Sequence, residues 1–148
     1  MADEASNRDP FGNYYFALEI NKTQVAHFQE FSGLKTSSQV FEIEEGGMNG
    51  MTHKRPGQSR YENIVLKYAT NATQTLLEWR DKYLRDNFTA QKEDSGAVIV
   101  YDNSGTEVRR YSFTRAWPVS WEGPALSAGS SEIAVETVEI AFDGLYVK

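Results

Sequence analysis

The side chains best able to do chemistry are two histidines, His27 and His53, and three nearby carboxylates, Glu42, Glu44 and Glu45. Imidazole and carboxylate groups transfer protons and bind metal ions. A zinc site needs three or four ligands with supporting groups around them, and the sequence supplies neither histidine with such neighbours. We interpret His27 as a half-buried surface residue of a strand and the carboxylates as the charged edge of a loop. The sequence therefore predicts no metal, no cofactor and no catalytic set.

Other signatures of catalysis do not match either. The chain has no cysteine, which excludes disulfides, thiolate metal ligands and cysteine nucleophiles. No serine lies in a Gly-x-Ser-x-Gly motif, and the Gly46-Gly47 pair fits neither a phosphate-binding loop nor a dinucleotide fingerprint. Trp117 and Trp121 could stack on bases or sugars, but tryptophans in strands more often pack in a core or a subunit interface. The aromatic residues assigned to core or interface packing are Tyr14, Phe16, Trp79, Trp117, Trp121 and Phe142.

Length and composition indicate one globular domain with a single hydrophobic core. The 148 residues suffice for one hydrophobic core, and 40% hydrophobic residues are too many for a disordered chain. No apolar run approaches the roughly 20 residues of a membrane helix, so no membrane insertion is expected. The first residues do not resemble a signal peptide, so we expect synthesis in the bacterial cytoplasm. With 15 basic and 21 acidic residues and a net charge of -6, nucleic acid is disfavoured as the main ligand.

The elements that position these residues are mainly strands. Residues 1–9 are polar and aperiodic and read as a flexible N-terminal arm, and residues 10–148 form a single domain. Residues that alternate between two faces predict strands at 14–20, 39–44, 61–68 and 132–142. Further strands are predicted at 25–31, at the wholly apolar run 97–101 and at 108–121. One amphipathic helix is predicted at about 72–87, where its apolar stripe lies against the β structure. The expected fold is mainly β, an antiparallel sandwich or barrel of seven or eight strands with one flanking helix.

The segment 45–60 is unusual because it is rich in glycine and shows no strong period, which predicts an extended loop. Loops of this length are uncommon in compact domains and are usually functional or disordered. Acidic residues lie at its entry and basic residues at its exit, an arrangement suited to a head-to-tail contact between copies. The last predicted strand is apolar on both faces, and a neighbouring subunit would bury the second face.

Several separated motifs resemble the tail tube proteins of contractile phages and contractile injection systems. They occupy residues 9–11, 14–16, 28–34, 44–49, 53–57, 61–67, 113–124 and 131–141. None is diagnostic alone, but their order and spacing together are specific. The resemblance covers nearly the whole chain from Asp9 onward.

The resemblance implies a structural subunit that forms hexameric rings, which stack helically into a hollow inner tube. It implies contacts with sheath subunits, baseplate and spike proteins, and tube-length or terminator proteins, with DNA or a cargo protein in the lumen. It also implies that the long loop reaches the adjacent ring. The residues expected in this ring-stacking loop are Glu44, Glu45, Gly46, Gly47, Asn49, His53, Lys54, Arg55, Pro56, Gly57 and Arg60.

Two alternatives stay open at this point. A specialised paralogue next to the baseplate would form rings without long tubes. A small β-sandwich could instead bind a carbohydrate or another small ligand through its tryptophans. The sequence does not distinguish a phage tail from an injection system.

Overall fold

The computed structural model describes residues 15–44, 47, 50, 52–70, 74–85, 94–125, 127–129 and 133–147. These residues form ten strands and one helix. In chain order they are β1 (Tyr15–Ile20), β2 (Thr23–Phe28), β3 (Glu30–Ser32), β4 (Thr36–Glu44), β5 (Thr52–Tyr61), β6 (Ile64–Ala69), α1 (Thr75–Arg85), β7 (Asp94–Tyr101), β8 (Glu107–Glu122), β9 (Val135–Ala141) and β10 (Gly144–Val147). The prediction of a mainly antiparallel β fold with one flanking helix is confirmed.

Eight strands form one antiparallel sheet in the order β2-β1-β7-β8-β9-β6-β3, with β10 added to β8. The long strand β8 pairs with β7 through its first part and with β9 through its last part. At the other side, only Gln29 separates β2 from β3, and its backbone N–H donates a 2.9 Å hydrogen bond to the Lys67 carbonyl of β6. Because both ends of the strand order meet there, the sheet curls into a barrel with two halves. We call these the β7 half (β2, β1, β7, first part of β8, β10) and the β9 half (last part of β8, β9, β6, β3).

The bend in β8 lies at Arg115, which has a φ of 55°. The pairing of β7 with β8 shifts register beside it, so one extra residue of β8 opposes β7 in a bulge, which bends and twists a strand. Asp143 braces the bend because its carboxylate lies 3.2 Å from Arg115 Nε and its N–H donates to the Thr114 carbonyl. This bend carries the strand from one half of the barrel to the other.

The barrel interior is filled by alternate residues of its strands, as the period of two requires. The β9 half supplies Ile64, Leu66, Val138 and Ile140, each with no exposed surface. The other members of the buried cluster are Leu18, Ile20, Phe28, Tyr68, Leu76, Val98, Phe113, Ala116 and Phe142. The opposite face of β9 is only half buried at Val135 and Ala141. That face is the one the sequence predicted to need a neighbour.

The helix lies beside β8 near Ala116 and Pro118, where the pairing of β8 with β7 stops. Leu76 and Tyr83 are its buried residues, and Arg80 Nη1 donates a 2.9 Å hydrogen bond to the Pro118 carbonyl. Pro118 lacks an N–H and sits at this edge beside a register shift, as expected for a proline in a strand. The ends predicted at 72 and 87 fall outside the described residues. No helix in the described part of the chain is long and apolar enough to span a bilayer.

Three local predictions differ from the structure. The predicted loop 45–60 is a strand from Thr52 onward. The sequence did not reveal this strand, because nearly all of its residues are exposed and burial therefore imposes no alternation of apolar and polar residues. The predicted strand 25–31 is broken at Gln29, where the chain passes from one half of the barrel to the other. The short strand β10 was not predicted. The arm at 1–9 lies outside the described residues.

Candidate functional site

An exposed two-stranded hairpin, β4 with β5, projects from the barrel as a separate sheet. The strands have 9 and 10 residues, and every residue of β4 is exposed. Their register runs from Thr36 opposite Tyr61 to Glu44 opposite Thr52, with one irregularity after Ser38. Isolated two-stranded hairpins are marginally stable in water. A hairpin of this length that stands clear of its own barrel therefore gains stability from a further contact.

The hairpin has two faces of different chemistry, because side chains alternate along each strand and cross-strand partners share a face. The front face carries Gln39, Phe41, Ile43, His53, Arg55 and Gly57. The back face carries Val40, Glu42, Glu44, Thr52, Lys54 and Pro56. The front face has a guanidinium and no carboxylate, whereas the back face has two carboxylates and one ammonium. The front face is thus apolar and basic, and the back face is net acidic.

Large apolar side chains on the hairpin remain open to solvent. Phe41 is 58% exposed, Val40 is 60% exposed and Ile43 is 37% exposed. The Phe41 ring lies over Gly57, where an added Cβ would stand 2.5 Å from ring atom Cε2. Glycine at this position therefore lets the ring lie flat while its other side stays uncovered. Contiguous exposed apolar groups rimmed by charge are typical of protein interfaces.

The root of the hairpin is fixed to the barrel at a close crossing of the two chain segments. The Glu62 N–H donates a 3.0 Å hydrogen bond to the Lys35 carbonyl, and their side chains form a 3.3 Å ion pair. Gly33 has a φ of +90° and sits where an added Cβ would overlap the Asn63 carbonyl oxygen. Asn63 Nδ2 in turn donates to Glu139 Oε1 of β9 at 2.9 Å. These contacts set the direction in which the hairpin leaves the β9 half.

A family model described as T4-like virus tail tube protein gp19 matches residues 12–146. The chain belongs to this family. It is a structural tube subunit of a phage tail or a phage-tail-like particle, as the sequence motifs predicted. No curated protein sequence matches the chain.

Several solved structures share the fold of this tail tube protein at low sequence identity. In the extended sheath–tube complex of PVC, an extracellular contractile injection system, the matching chain is 23% identical with a TM-score of 0.74, covering 94% of this chain and 91% of that one. In the tube-terminating cap of the anti-feeding prophage the values are 24% and 0.77, with 99% and 96% covered. Hcp1 from Flavobacterium johnsoniae is 16% identical with a TM-score of 0.52, over 90% and 94%.

The residues predicted for ring stacking lie on or beside this hairpin of the tube subunit where the structure describes them. These are Glu44, Gly47, His53, Lys54, Arg55, Pro56, Gly57 and Arg60. Gly47 and Gly50, with φ of 113° and 106°, belong to the connection between the strands. Glu45, Gly46 and Asn49 lie outside the described residues. Glu42 lies opposite Lys54 across the hairpin, whereas Arg55 lies opposite Phe41 and Glu44 opposite Thr52, so the charges are not divided between two ends of a loop.

The sequence interpretation missed the apolar residues of the hairpin. Phe41 and Ile43 share one face of a predicted strand, but the partner strand had been interpreted as a loop, so no exposed apolar face was predicted. The signal was present in the alternation of 39–44. It pointed to a buried face, and the structure instead leaves that face open.

The aromatic residues assigned to core or interface packing lie in several settings. Phe142 is buried and Phe16 packs against the core cluster. Trp121 Nε1 donates a 3.1 Å hydrogen bond to the Tyr68 hydroxyl, and burial together with the Glu136 carboxylate raises the pKa of Tyr68 above its ordinary value. Trp117 is half buried, and Tyr14 lies outside the described residues.

The remaining assigned aromatic residue, Trp79, belongs to a polar cluster around Asp94 that the sequence did not reveal. The Asp94 carboxylate is 5% exposed and accepts 2.9 Å hydrogen bonds from Asn21 Nδ2, Trp79 Nε1 and the Tyr83 hydroxyl. Burial by itself would raise the pKa of Asp94, but these hydrogen bonds outweigh it and hold the pKa below its ordinary value. The cluster fastens α1 to the first strand hairpin and to β7.

This arrangement suits binding and assembly. Among the described residues no three His, Asp or Glu side chains form a group that could hold a metal ion. The same part of the chain leaves no buried side-chain nitrogen or oxygen without a hydrogen-bond partner. The buried polar groups of the barrel thus stabilise its fold, whereas the hairpin exposes apolar and charged side chains to solvent.

Proposed function

We propose that this tail tube protein forms hexameric rings that stack helically into the inner tube of a contractile injection system or a phage tail, and that it has no catalytic activity. The observation that carries the proposal is the projecting hairpin with its open apolar residues Val40, Phe41 and Ile43. In the assembled tube these side chains are covered by copies in the adjacent ring.

The proposal explains why the subunit exposes such groups. Two long strands with free edges invite pairing or packing with another chain, which monomeric proteins normally prevent. A contact that uses two different surfaces repeats without limit when it does not close, and this produces a stack. The hairpin supplies one surface of that contact, and a different surface of the neighbouring copy supplies the other.

The proposed partners beyond the tube itself are sheath, baseplate, spike and terminator proteins, with a cargo protein or DNA in the lumen. Similar structures support the sheath, baseplate and terminator proteins as partners, since they come from a sheath–tube complex, a baseplate and tube-terminating structures. The acidic net charge of -6 favours a passive conduit over a nucleic-acid-binding surface.

Electron microscopy of the purified protein tests the proposal. Negative-stain images at high concentration are expected to show six-fold rings or hollow tubes of uniform width. Deleting residues 46–57 should leave a folded barrel, with an unchanged far-ultraviolet circular dichroism signature of β structure, that makes no long tubes. Long tubes from the deletion variant would refute the role of the hairpin.

A second candidate is a specialised tube paralogue next to the baseplate. A chain in the anti-feeding prophage baseplate has a TM-score of 0.75 with this chain, similar to that of the PVC sheath–tube chain. Such a paralogue would give rings that do not extend into tubes. Rings alone from wild-type protein, extended only when a second tube protein is added, would favour this candidate.

A further inference from the structure

The hairpin and the barrel share one continuous strand register. In the barrel, the pairing of β3 with β6 ends at Ser32 opposite Val65. In the hairpin, the pairing of β4 with β5 begins at Thr36 opposite Tyr61. Both chain segments have the same number of residues between these pairs, so neither segment carries an insertion. The hairpin is therefore the outer part of one long two-stranded ribbon whose inner part belongs to the barrel.

The ribbon is interrupted between its two parts, at residues 33–35 and 62–63, which we call the kink. Gly33 turns the chain there with a φ of +90°, and an added Cβ would overlap the Asn63 carbonyl oxygen. Leu34 and Tyr61 pack against the buried core cluster from this point. These apolar contacts fix the position of the kink on the barrel, and the angle of the hairpin is set on the opposite face.

On that outer face, one carboxylate connects the kink to two strands of the barrel. Asn63 Nδ2 donates a 2.9 Å hydrogen bond to Oε1 of Glu139 in β9. The other oxygen, Oε2, accepts a 3.4 Å hydrogen bond from the Ser120 hydroxyl of β8. Among the side chains that the structure describes, no other hydrogen bond joins the kink to the barrel. We call the contact of Asn63 with Glu139 the brace.

The length of the hairpin makes its tip sensitive to the angle at the kink. The 9 residues of β4 extend for about 30 Å at 3.2–3.4 Å for each residue. A rotation of about 10° at the kink would therefore move the tip by about 5 Å, which is about the spacing of neighbouring strands. Close-packed contacts do not tolerate a shift of this size, because dispersion contacts are lost within the first 1 Å or so of separation.

From this geometry we infer that the brace aims the hairpin and thereby sets the rotation between successive rings of the tube. Asn63 and Glu139 are positioning residues, which act through the direction of the hairpin. The inference rests on the proposed stacking role and adds the contact that orients the stacking surface. Glu139→Gln keeps a carbonyl oxygen that can accept from Asn63, whereas Glu139→Ala removes the acceptor, so the two variants isolate the hydrogen bond.

Spin labels measure the direction of the hairpin in the free subunit. Because the chain has no cysteine, Glu44→Cys on the hairpin and Asn103→Cys in the turn between β7 and β8 provide one labelled pair. Pulsed electron paramagnetic resonance, below the concentration of assembly, gives the distance distribution of that pair. Adding Glu139→Ala should shift or broaden the distribution by about 5 Å, the displacement worked out for a rotation of about 10°. Adding Glu139→Gln should leave it unchanged.

Tube formation without spin labels gives the functional readout. Glu139→Ala should raise the protein concentration needed for tubes by about tenfold, which corresponds to about 1.4 kcal/mol of contact energy. The tubes that still form should show an altered rotation between rings in helical reconstructions from electron cryomicroscopy, and Glu139→Gln should behave as wild type.

The matched control is Glu30→Ala. It removes another carboxylate of the same ribbon, 3.5 Å from Lys67 and away from the kink, and should leave tubes unchanged. All three variants should keep the urea midpoint of wild type, because the contacts that they remove are exposed. A purely structural role of Glu139 would instead lower this midpoint.

The outcomes separate this inference from the proposed function. A label distance that does not respond to Glu139→Ala, or tubes that keep their rotation and concentration dependence when it does respond, would overturn the inference and leave the stacking role standing. Equal defects in Glu139→Gln and Glu139→Ala would also overturn it, because the charge and not the hydrogen bond would then matter. If the variant lacking residues 46–57 still builds tubes, both proposals fall. A shifted label, altered tubes and rescue by glutamine together establish the brace.

Discussion

Replacement of Asp94 by alanine is expected to be among the most damaging single changes to the barrel. The carboxylate is buried and accepts three hydrogen bonds, from Asn21, Trp79 and Tyr83. Truncation leaves the Trp79 indole N–H without this acceptor, which costs about 1–3 kcal/mol for a buried donor, and leaves the Tyr83 hydroxyl with a longer 3.4 Å hydrogen bond to the Ala116 carbonyl. The expected loss of unfolding free energy is about 2–4 kcal/mol, a large fraction of the 5–15 kcal/mol typical of a domain.

Urea unfolding followed by tryptophan fluorescence measures this effect, and it should be done at concentrations below those that support assembly. Asp143→Ala is the matched control. Asp143 is likewise an aspartate with a side-chain partner, Arg115, but the two side chains are 65% and 57% exposed, so its loss should cost less than about 1 kcal/mol. A change below 1 kcal/mol for Asp94→Ala, with an unaltered emission spectrum, would refute the assigned role of the cluster.

The pH dependence of stability gives a second test of the same cluster. Because the pKa of Asp94 is lower in the folded state than its ordinary value, the ionised carboxylate stabilises the fold. That contribution is fully present above the unfolded pKa of about 3.9 and is lost as the pH falls through the lower folded value. The Asp94→Ala variant should therefore show a flatter fall in unfolding free energy below about pH 4 than the wild-type protein. Parallel curves would contradict this assignment.

Three further changes separate folding from assembly. Gly57→Val should displace the Phe41 ring and abolish tubes in negative stain, while barrel unfolding by urea stays within about 1 kcal/mol of wild type because the hairpin packs outside the core. Trp121→Ala removes a half-buried ring and its hydrogen bond to Tyr68, and should lower the unfolding free energy by about 3 kcal/mol; an unchanged melting temperature would contradict this. Arg115→Gly removes the positive-φ cost of about 1 kcal/mol together with an exposed ion pair, so its urea midpoint should not fall, and a clear decrease would show that the ion pair dominates the bend.

The barrel was predictable from sequence because its strands have one buried face, and burial enforces the alternation of apolar residues. Residues 64–69 illustrate this, with Ile64, Leu66 and Tyr68 buried and the residues between them half buried. β5 could not be found in the same way. Neither face of β5 is buried against the barrel of the same copy. Polar residues therefore occupy both faces, and the sequence resembles a loop.

The Asp94 cluster lay beyond sequence reasoning for a different reason. Its hydrogen-bond partners come from distant parts of the chain, and Asn21 is separated from Asp94 by 73 positions. Nothing in local composition brings an asparagine in a turn, two aromatic residues of a helix and one aspartate to the same point. Only the closure of the barrel does so, and closure depends on long-range register that one sequence does not show.

The division between a satisfied barrel and an unsatisfied hairpin explains how one small chain can be both stable and ready to assemble. In the described part of the chain the barrel encloses an apolar core and pairs its buried polar groups. The hairpin leaves Phe41 and Ile43 open to solvent, so their burial contributes only when copies meet. At about 25 cal/mol for each Å² removed from water, that burial drives association without adding to the stability of the single copy. Changes in the barrel should therefore act on the unfolding free energy, and changes on the hairpin should act on the concentration at which tubes form.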